Sequence, residues 1–295
     1  MIEVVRRLSR LSLLLAGLSG TVIIPAHAQS QPGETPPPTI AIIIDDVGHD
    51  RYEGERLIAL EQPITLAFLP YRRYTSTLAE AAHARGKEIM LHAPMANTHN
   101  YDLGPGGLDP SMDQAATTRT LRRALQSIPY VRGVNNHMGS LLTQRRANMD
   151  WVMSELVQYP LYFVDSRTIA STVAAASARD HQVPNLSRDI FLDNDQTEAS
   201  IDKQFKLLIA AARRNGTAIA IGHPHKATVD YLEKHLPLLD EQGIAVATVS
   251  GLWAMRNNNQ PMFASGDKRP VRSSLAKGEN IKPVVQSKAQ KKPDS

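Results

Sequence analysis

From residue 39 to residue 253 the chain repeats one pattern. A short apolar or β-branched run is followed by a longer stretch in which apolar positions recur every three or four residues. The short runs, at 39–44, 64–69, 88–91, 133–135, 161–164, 190–192, 217–221 and 244–249, predict strands. The amphipathic stretches at 52–60, 76–85, 114–127, 144–158, 169–178, 198–215 and 228–242 predict helices. Strand-then-helix repetition predicts an α/β fold, a distorted (β/α) barrel of about seven parallel strands covered by helices. An open doubly wound sheet is the alternative, because the pattern does not show closure. No internal sequence repeat is visible.

The pattern stops at both ends. Residues 1–28 combine Arg6, Arg7 and Arg10, an apolar run broken by Gly17, Gly20 and Pro25, and the small-x-small triplet Ala26-His27-Ala28. This is the layout of a cleaved signal peptide, so export to the periplasm or the cell exterior is expected. Residues 29–38 read as a Pro-rich linker ending in Pro36-Pro37-Pro38, residues 39–253 as one folded domain, and 254–295 as a disordered basic tail. No stretch after the leader is apolar enough to cross a bilayer.

Charge and cysteine content then remove some function classes. The chain has 33 Lys/Arg and 29 Asp/Glu, but eight and three of these lie in residues 257–295 and three and one in residues 1–28. The remaining body holds 22 basic and 25 acidic residues, so no basic face for nucleic acid is implied. There is no cysteine, so disulfides cannot contribute and any metal must be held by His, Asp or Glu.

The polar residues that interrupt the pattern share one position, just after a strand. Asp45-Asp46 follows Ile42-Ile43-Ile44, His92 follows Ile89-Met90-Leu91, and Asn135-Asn136-His137 follows Val134. Asp165 follows Phe163-Val164, Asp193 follows Phe191-Leu192, and His223 follows Ile219-Ala220-Ile221-Gly222. In an α/β barrel these strand ends surround the active site.

Adjacent carboxylates repel unless a cation lies beside them. One of Asp45 and Asp46 could therefore bind a divalent metal while the other acts as a base; a helix cap is the simpler reading of the pair taken alone. Asp46, His92 and His137 make an Asp-His-His set, and three protein ligands leave a coordination position open, as catalysis needs. His223 is the candidate proton donor, while His225 reads as a surface residue opening the next helix. Asp165 and Arg167 read equally as a clamp behind the site or a structural ion pair, and Asn136 as a neighbour of the ligand set or of substrate. Asp193-Asn194-Asp195 reads as a turn and cap. Tyr71, Tyr74 and Tyr101 could line a sugar cleft.

Five ordered motifs, Ile42-Ile43-Ile44-Asp45-Asp46-Val47-Gly48, Leu91-His92-Ala93-Pro94-Met95, Val134-Asn135-Asn136-His137-Met138-Gly139-Ser140, Phe163-Val164-Asp165-Ser166-Arg167-Thr168 and Ala220-Ile221-Gly222-His223-Pro224-His225, resemble those of the divergent polysaccharide deacetylases. The resemblance implies a distorted barrel of the carbohydrate-esterase deacetylase type and one divalent metal of the zinc kind. By that pattern Asp45 is the base, Asp46, His92 and His137 the metal ligands, and His223 the acid. The larger group's second motif carries a further His where this chain has Met95 and Ala96, and His137 would replace it. The expected activity is metal-dependent deacetylation of an N- or O-acetylated carbohydrate of the cell envelope. The alternatives are a non-catalytic barrel that binds envelope glycan or protein, and a glycosidase built on Asp45 and Asp165.

Overall fold

The structure is a computed structural model that describes residues 36–260 and 262–263. The expected signal peptide, residues 29–35 of the linker and most of the expected tail lie outside the described residues. No helix among the described residues is long and apolar enough to cross a membrane.

Among the described residues, nine parallel strands alternate with eight α-helices. The strands are β1 (Thr39–Val47), β2 (Thr65–Phe68), β3 (Glu88–Met95), β4 (Gly133–Met138), β5 (Tyr162–Asp165), β6 (Asn185–Ser187), β7 (Ile190–Phe191), β8 (Thr217–Gly222) and β9 (Ala245–Val246). The helices are α1 (Arg51–Ala59), α2 (Thr75–Ala84), α3 (Gln114–Gln126), α4 (Arg146–Leu156), α5 (Ala174–Asp180), α6 (Glu198–Asn215), α7 (Lys226–His235) and α8 (Val249–Arg256). The sheet order is β6-β5-β4-β3-β2-β1-β8-β7, with β9 added beside the start of β1. The two edge strands β6 and β7 belong to one short segment broken only at Arg188 and Asp189. That segment pairs with β5 through Leu186 and with β8 through Ile190 and Phe191, so the sheet curls back on itself. Counting β6 and β7 as one broken stave and leaving β9 outside the ring gives the seven-stave barrel expected from the sequence.

Alternation along the strands sorts side chains into two layers. Ile40, Ile42, Ile44, Leu66, Phe68, Ile89, Leu91, Val134 and Phe163 pack outward against the helices. Ala41, Ile43, Ala67, Met90, Tyr162, Val164, Ile219 and Ile221 fill the interior. Burial on both faces explains why β1 reads as an unbroken aliphatic run. Each fully buried Ile contributes about 1.5–3 kcal/mol of hydrophobic stabilisation. The α8 residues Val249 and Leu252 join the interior cluster. Near them the buried Glu88 carboxylate accepts from Thr65 Oγ1 at 3.1 Å, Tyr162 OH at 2.8 Å and Ser250 N at 3.1 Å. Gly133 lies against the Tyr162 ring, where an added Cβ would overlap it.

Several boundaries depart from the pattern. The helix expected at 169–178 begins only at Ala174, because Thr172 and Asp165 hold the preceding residues as a loop. The helix expected at 228–242 ends at His235, and Pro237, which lacks an N–H, lies within the first of two 3₁₀ turns that follow, Leu236–Leu238 and Asp240–Gln242. The strand expected at 244–249 shrinks to β9 because the Thr248 hydroxyl accepts from Gly251 N and caps α8. α8 runs through Arg256, so residues 254–256, read from the sequence as tail, continue the folded body. β6, with the sequence Asn-Leu-Ser, was not anticipated.

Candidate metal and catalytic site

Every strand-end residue singled out above lies at the same rim of the barrel. Parity decides which of them reach the interior. Ala41 and Ile43 face inward on β1, so Asp45 does too, and it is almost completely buried. Its neighbour Asp46 should point away. A bulge corrects this: two residues of β2, Leu66 and Phe68, span three steps of β1, Ile44 to Val47, and Asp46 adopts a left-handed φ of 56°. Both adjacent carboxylates thereby serve one site.

On β3, Met90 and His92 share the inward face, and on β4, Gly133, Asn135 and His137 do. Asp46 Oδ1 lies 2.9 Å from His137 Nδ1 and 3.3 Å from His92 Nε2, and the two ring nitrogens are 3.1 Å apart. His92 Nδ1 faces Asn135 Oδ1 at 2.7 Å, while Asn135 Nδ2 donates to Asp45 Oδ1 at 2.7 Å. Because the Asn135 amide donates to a carboxylate, its oxygen must accept from His92 Nδ1–H. In the neutral ring that a metal ion requires, His92 Nε2 is then the unprotonated nitrogen, turned to the site.

These three donors fit a divalent metal. Tetrahedral bonds of about 2.0–2.1 Å hold neighbouring donors about 3.3 Å apart, close to the spacings here. Asp46 Oδ1 is buried and has no hydrogen bond of proper direction, so lone pairs converge on a common point. The local field favours cations. Burial opposes ionisation of Asp46, but the His137 and His92 imidazoles overcome it and hold its carboxyl well below the usual range. Burial likewise opposes charge on His92, and Asp45 and Asp46 overcome it and push its pKa up. Unlike Asp46, Asp45 is shifted upward, raised by burial despite His92, His223 and Asn135.

His223 stands on the inward face after Ile219 and Ile221. Its Nδ1 is 2.9 Å from Asp193 Oδ1, and Asp193 Oδ2 accepts from His223 N at 2.6 Å and Thr228 Oγ1 at 2.8 Å. Burial alone would lower the His223 pKa. The hydrogen bond and charge of Asp193, with Asp45 and Asp46, push it up to about 9. Asp193 is thus the partner of His223 and not the turn residue read from the sequence. Asp195 takes the turn role, accepting from Thr197 N at 3.0 Å. His225 opens α7 at its N-cap as expected, but it is half-buried and not a surface residue, its ring 5.6 Å from that of His223.

The remaining candidates do not reach the ligand set. Asp165 falls on the outward parity of β5. Its oxygens accept from Arg167 N at 2.9 Å and Thr172 Oγ1 at 3.1 Å, so it shapes its own loop and makes no ion pair with Arg167. Asn136 accepts from Ser166 N at 3.0 Å and donates to Met138 O at 2.7 Å, tying β4 to that same loop. Arg167 is exposed at the rim with a φ of 50°. Tyr71 and Tyr101 are exposed after β2 and β3, and Tyr74 packs against the core.

Strain and unsatisfied polarity mark the same rim. Asp46, Tyr71, Asn100, Met138 and Arg167, all at or just beyond strand ends, have left-handed φ values. Such strain clusters where a site fixes the backbone. Of four buried side-chain atoms without a hydrogen-bond partner among the described residues, three lie here: Asp46 Oδ1, Arg72 Nε and Ser166 Oγ.

Residues 42–253 match the family described as divergent polysaccharide deacetylase. The uncharacterized protein YibQ of Escherichia coli (strain K12) is 41% identical over 195 residues, 66% of this chain and 61% of its own length. An uncharacterized protein of Haemophilus influenzae is 36% identical over 214 residues, 72% of this chain and 76% of its own. The crystal structure of the uncharacterized protein ATU2773 from Agrobacterium tumefaciens shares the fold. Its TM-score is 0.71 at 24% identity, covering 74% of this chain and 90% of that one.

Proposed function

The chain belongs to the divergent polysaccharide deacetylase family, and from that premise we propose that it is an exported, metal-dependent hydrolase acting in the periplasm or outside the cell. Its substrate is an N- or O-acetylated carbohydrate of the cell envelope. The observation that carries this reading is the convergence of Asp46 Oδ1, His92 Nε2 and His137 Nδ1 at one rim, with Asp45 behind them.

Asp46, His92 and His137 would hold the ion. Zinc suits two imidazoles and one carboxylate, and when bound it supplies the Lewis acidity that polarises the acetyl carbonyl and lets water attack near neutral pH. The other steps belong to the chain's own residues. Asp45 takes a proton from the attacking water, its carboxylate aimed by Asn135 and its basicity kept up by burial. His223, held through Nδ1 by Asp193, presents Nε2 and gives a proton to the departing nitrogen or oxygen. The carbonyl C–N or C–O bond breaks, releasing a free amine or hydroxyl and acetic acid, which ionises to acetate and gives its proton to solvent or to the amine. The proton taken by Asp45 balances the one given by His223, so one water is consumed per acetyl group.

The alternative of a non-catalytic binding barrel drew on Met95 and Ala96 standing where a second His is expected. His137 pairs in register with Pro94 on the neighbouring strand, which supports a full donor set reached from β4 instead. The test is acetate release from N- and O-acetylated envelope oligosaccharides by the zinc-loaded full-length chain. Release by the wild type and its loss in Asp45→Asn is the expected result. No release from any acetylated glycan would overturn the reading.

A further inference from the structure

Arg72 stands apart from the other half-buried arginines. Arg56 is gripped by Glu53, Asp230 and Glu233, and Arg188 donates to the carbonyls of Ser166 and Arg167. The Arg72 side chain makes neither a hydrogen bond nor an ion pair among the described residues, and its Nε is buried without a partner. In the facing loop, Asp102 accepts from Gly104 N at 3.0 Å. A buried donor left unpaired costs about 1–3 kcal/mol, so its persistence calls for an explanation.

The guanidinium is nevertheless held in place. The loop after β2 is stitched to the end of β1 by Leu69 N to Val47 O at 3.0 Å and Tyr74 N to Gly48 O at 3.1 Å. Thr75 Oγ1 closes it on Leu69 O at 2.6 Å. Glycines stand on both sides. A Cβ on Gly48 would crowd Thr75 and touch Arg72 Cβ at 3.4 Å, and one on Gly104 would run into the guanidinium. Both have φ values, 118° and 69°, that L side chains rarely adopt. The fixed cation adjoins the metal-ligand set through Gly48, which lies against Arg72 Cβ and follows Asp46 by two residues.

We propose that Arg72 is the binding group for a carboxylate on the substrate, so that this rim takes an acidic acetylated glycan in preference to a neutral one. A planar carboxylate matches the two Nη groups of the guanidinium fork, which unlike Nε are not sealed off, whereas a neutral sugar would leave that charge uncompensated. The inference rests on the glycan-hydrolase reading of the same rim, and the two fail separately.

The probes are an N-acetylated oligosaccharide bearing a uronic acid and the same oligosaccharide with that carboxyl reduced to the alcohol. Their binding to the zinc-loaded full-length chain is measured by calorimetry, with acetate release followed in parallel. The acidic probe is expected to bind about tenfold or more tightly than its reduced counterpart. Arg72→Met should erase that preference while leaving the reduced probe's affinity unchanged, and Arg72→Lys should retain part of it. Thermal melting verifies that both variants fold. Equal binding of the two probes by the wild type, no binding of either, or a preference that survives Arg72→Met would each overturn the assignment of Arg72. Preferential binding lost in Arg72→Met but without acetate release would uphold Arg72 and sink the hydrolase.

Discussion

Asp46 Oδ1 lies 2.9 Å from His137 Nδ1 although the two residues belong to β1 and β4, with β2 and β3 between them in the sheet. In a flat sheet three strand spacings would separate them by about 14 Å. The contact therefore needs both the curl of the sheet and the bulge that turns Asp46 inward. It makes the site a property of the closed barrel and not of any local motif.

Asp45 is the residue whose loss should separate chemistry from metal binding. Asp45→Asn keeps a hydrogen-bonding group beside Asn135 but cannot accept a proton from water. Turnover should fall by about 10²–10⁴-fold while metal content is unchanged, measured by acetate release and elemental analysis on one preparation. Loss of the metal together with activity would instead make Asp45 a ligand.

His223 should set the alkaline limb of activity. With its pKa pushed up to about 9, it is protonated at neutral pH and able to donate, and activity should decline as pH rises through about 9. Asp193→Asn removes the charge that raises it. The limb should then move down toward the ordinary imidazole value near 6.5. The stability sign follows the same shift. The His223–Asp193 contact contributes fully below the unfolded value of 6.5, and the contribution is lost as pH climbs through 9. A pH–rate profile of the two proteins checks the first claim, and melting across pH the second.

Asn135 fixes both the His92 tautomer and the Asp45 carboxylate. Asn135→Ala should lower metal affinity about 10–100-fold, read by competition with a chelating dye. It should also cost about 1–3 kcal/mol of stability through two buried groups left unpaired, read by denaturant unfolding.

Gly133 has a structural duty at the same strand. Gly133→Ala places a methyl in the Tyr162 ring, and should destabilise the barrel by about 1–3 kcal/mol in denaturant unfolding.

These residues also show what could be read in advance. Asp45, Asp46, His92, His137 and His223 stood out because each interrupts an apolar run at its carboxyl end, where a parallel barrel places chemistry. Asp193 shares that position, but Asn194 and Asp195 give it the look of a turn; counting in twos from Phe191 places it on the face shared with His223. The same count separates inward Asn135 from outward Asn136 and Asp165. The bulge at Asp46 has no sequence signal, since its positive φ is imposed by the tertiary fold. Arg72 was invisible for a related reason: nothing in the sequence tells a paired guanidinium from an unpaired one. α8 escaped because Gly251 and the weakly patterned residues around it do not read as a helix.

The central claim is that Asp46, His92 and His137 hold one metal ion. The direct measurement is the metal content of the full-length chain, purified without added metal and after reloading with zinc, beside His92→Ala and His137→Ala. About one zinc per wild-type chain, lost in both variants while melting shows that they still fold, is the result predicted. A wild type that takes up no stoichiometric metal after zinc, cobalt, nickel or manganese, or variants that retain it, would contradict the account.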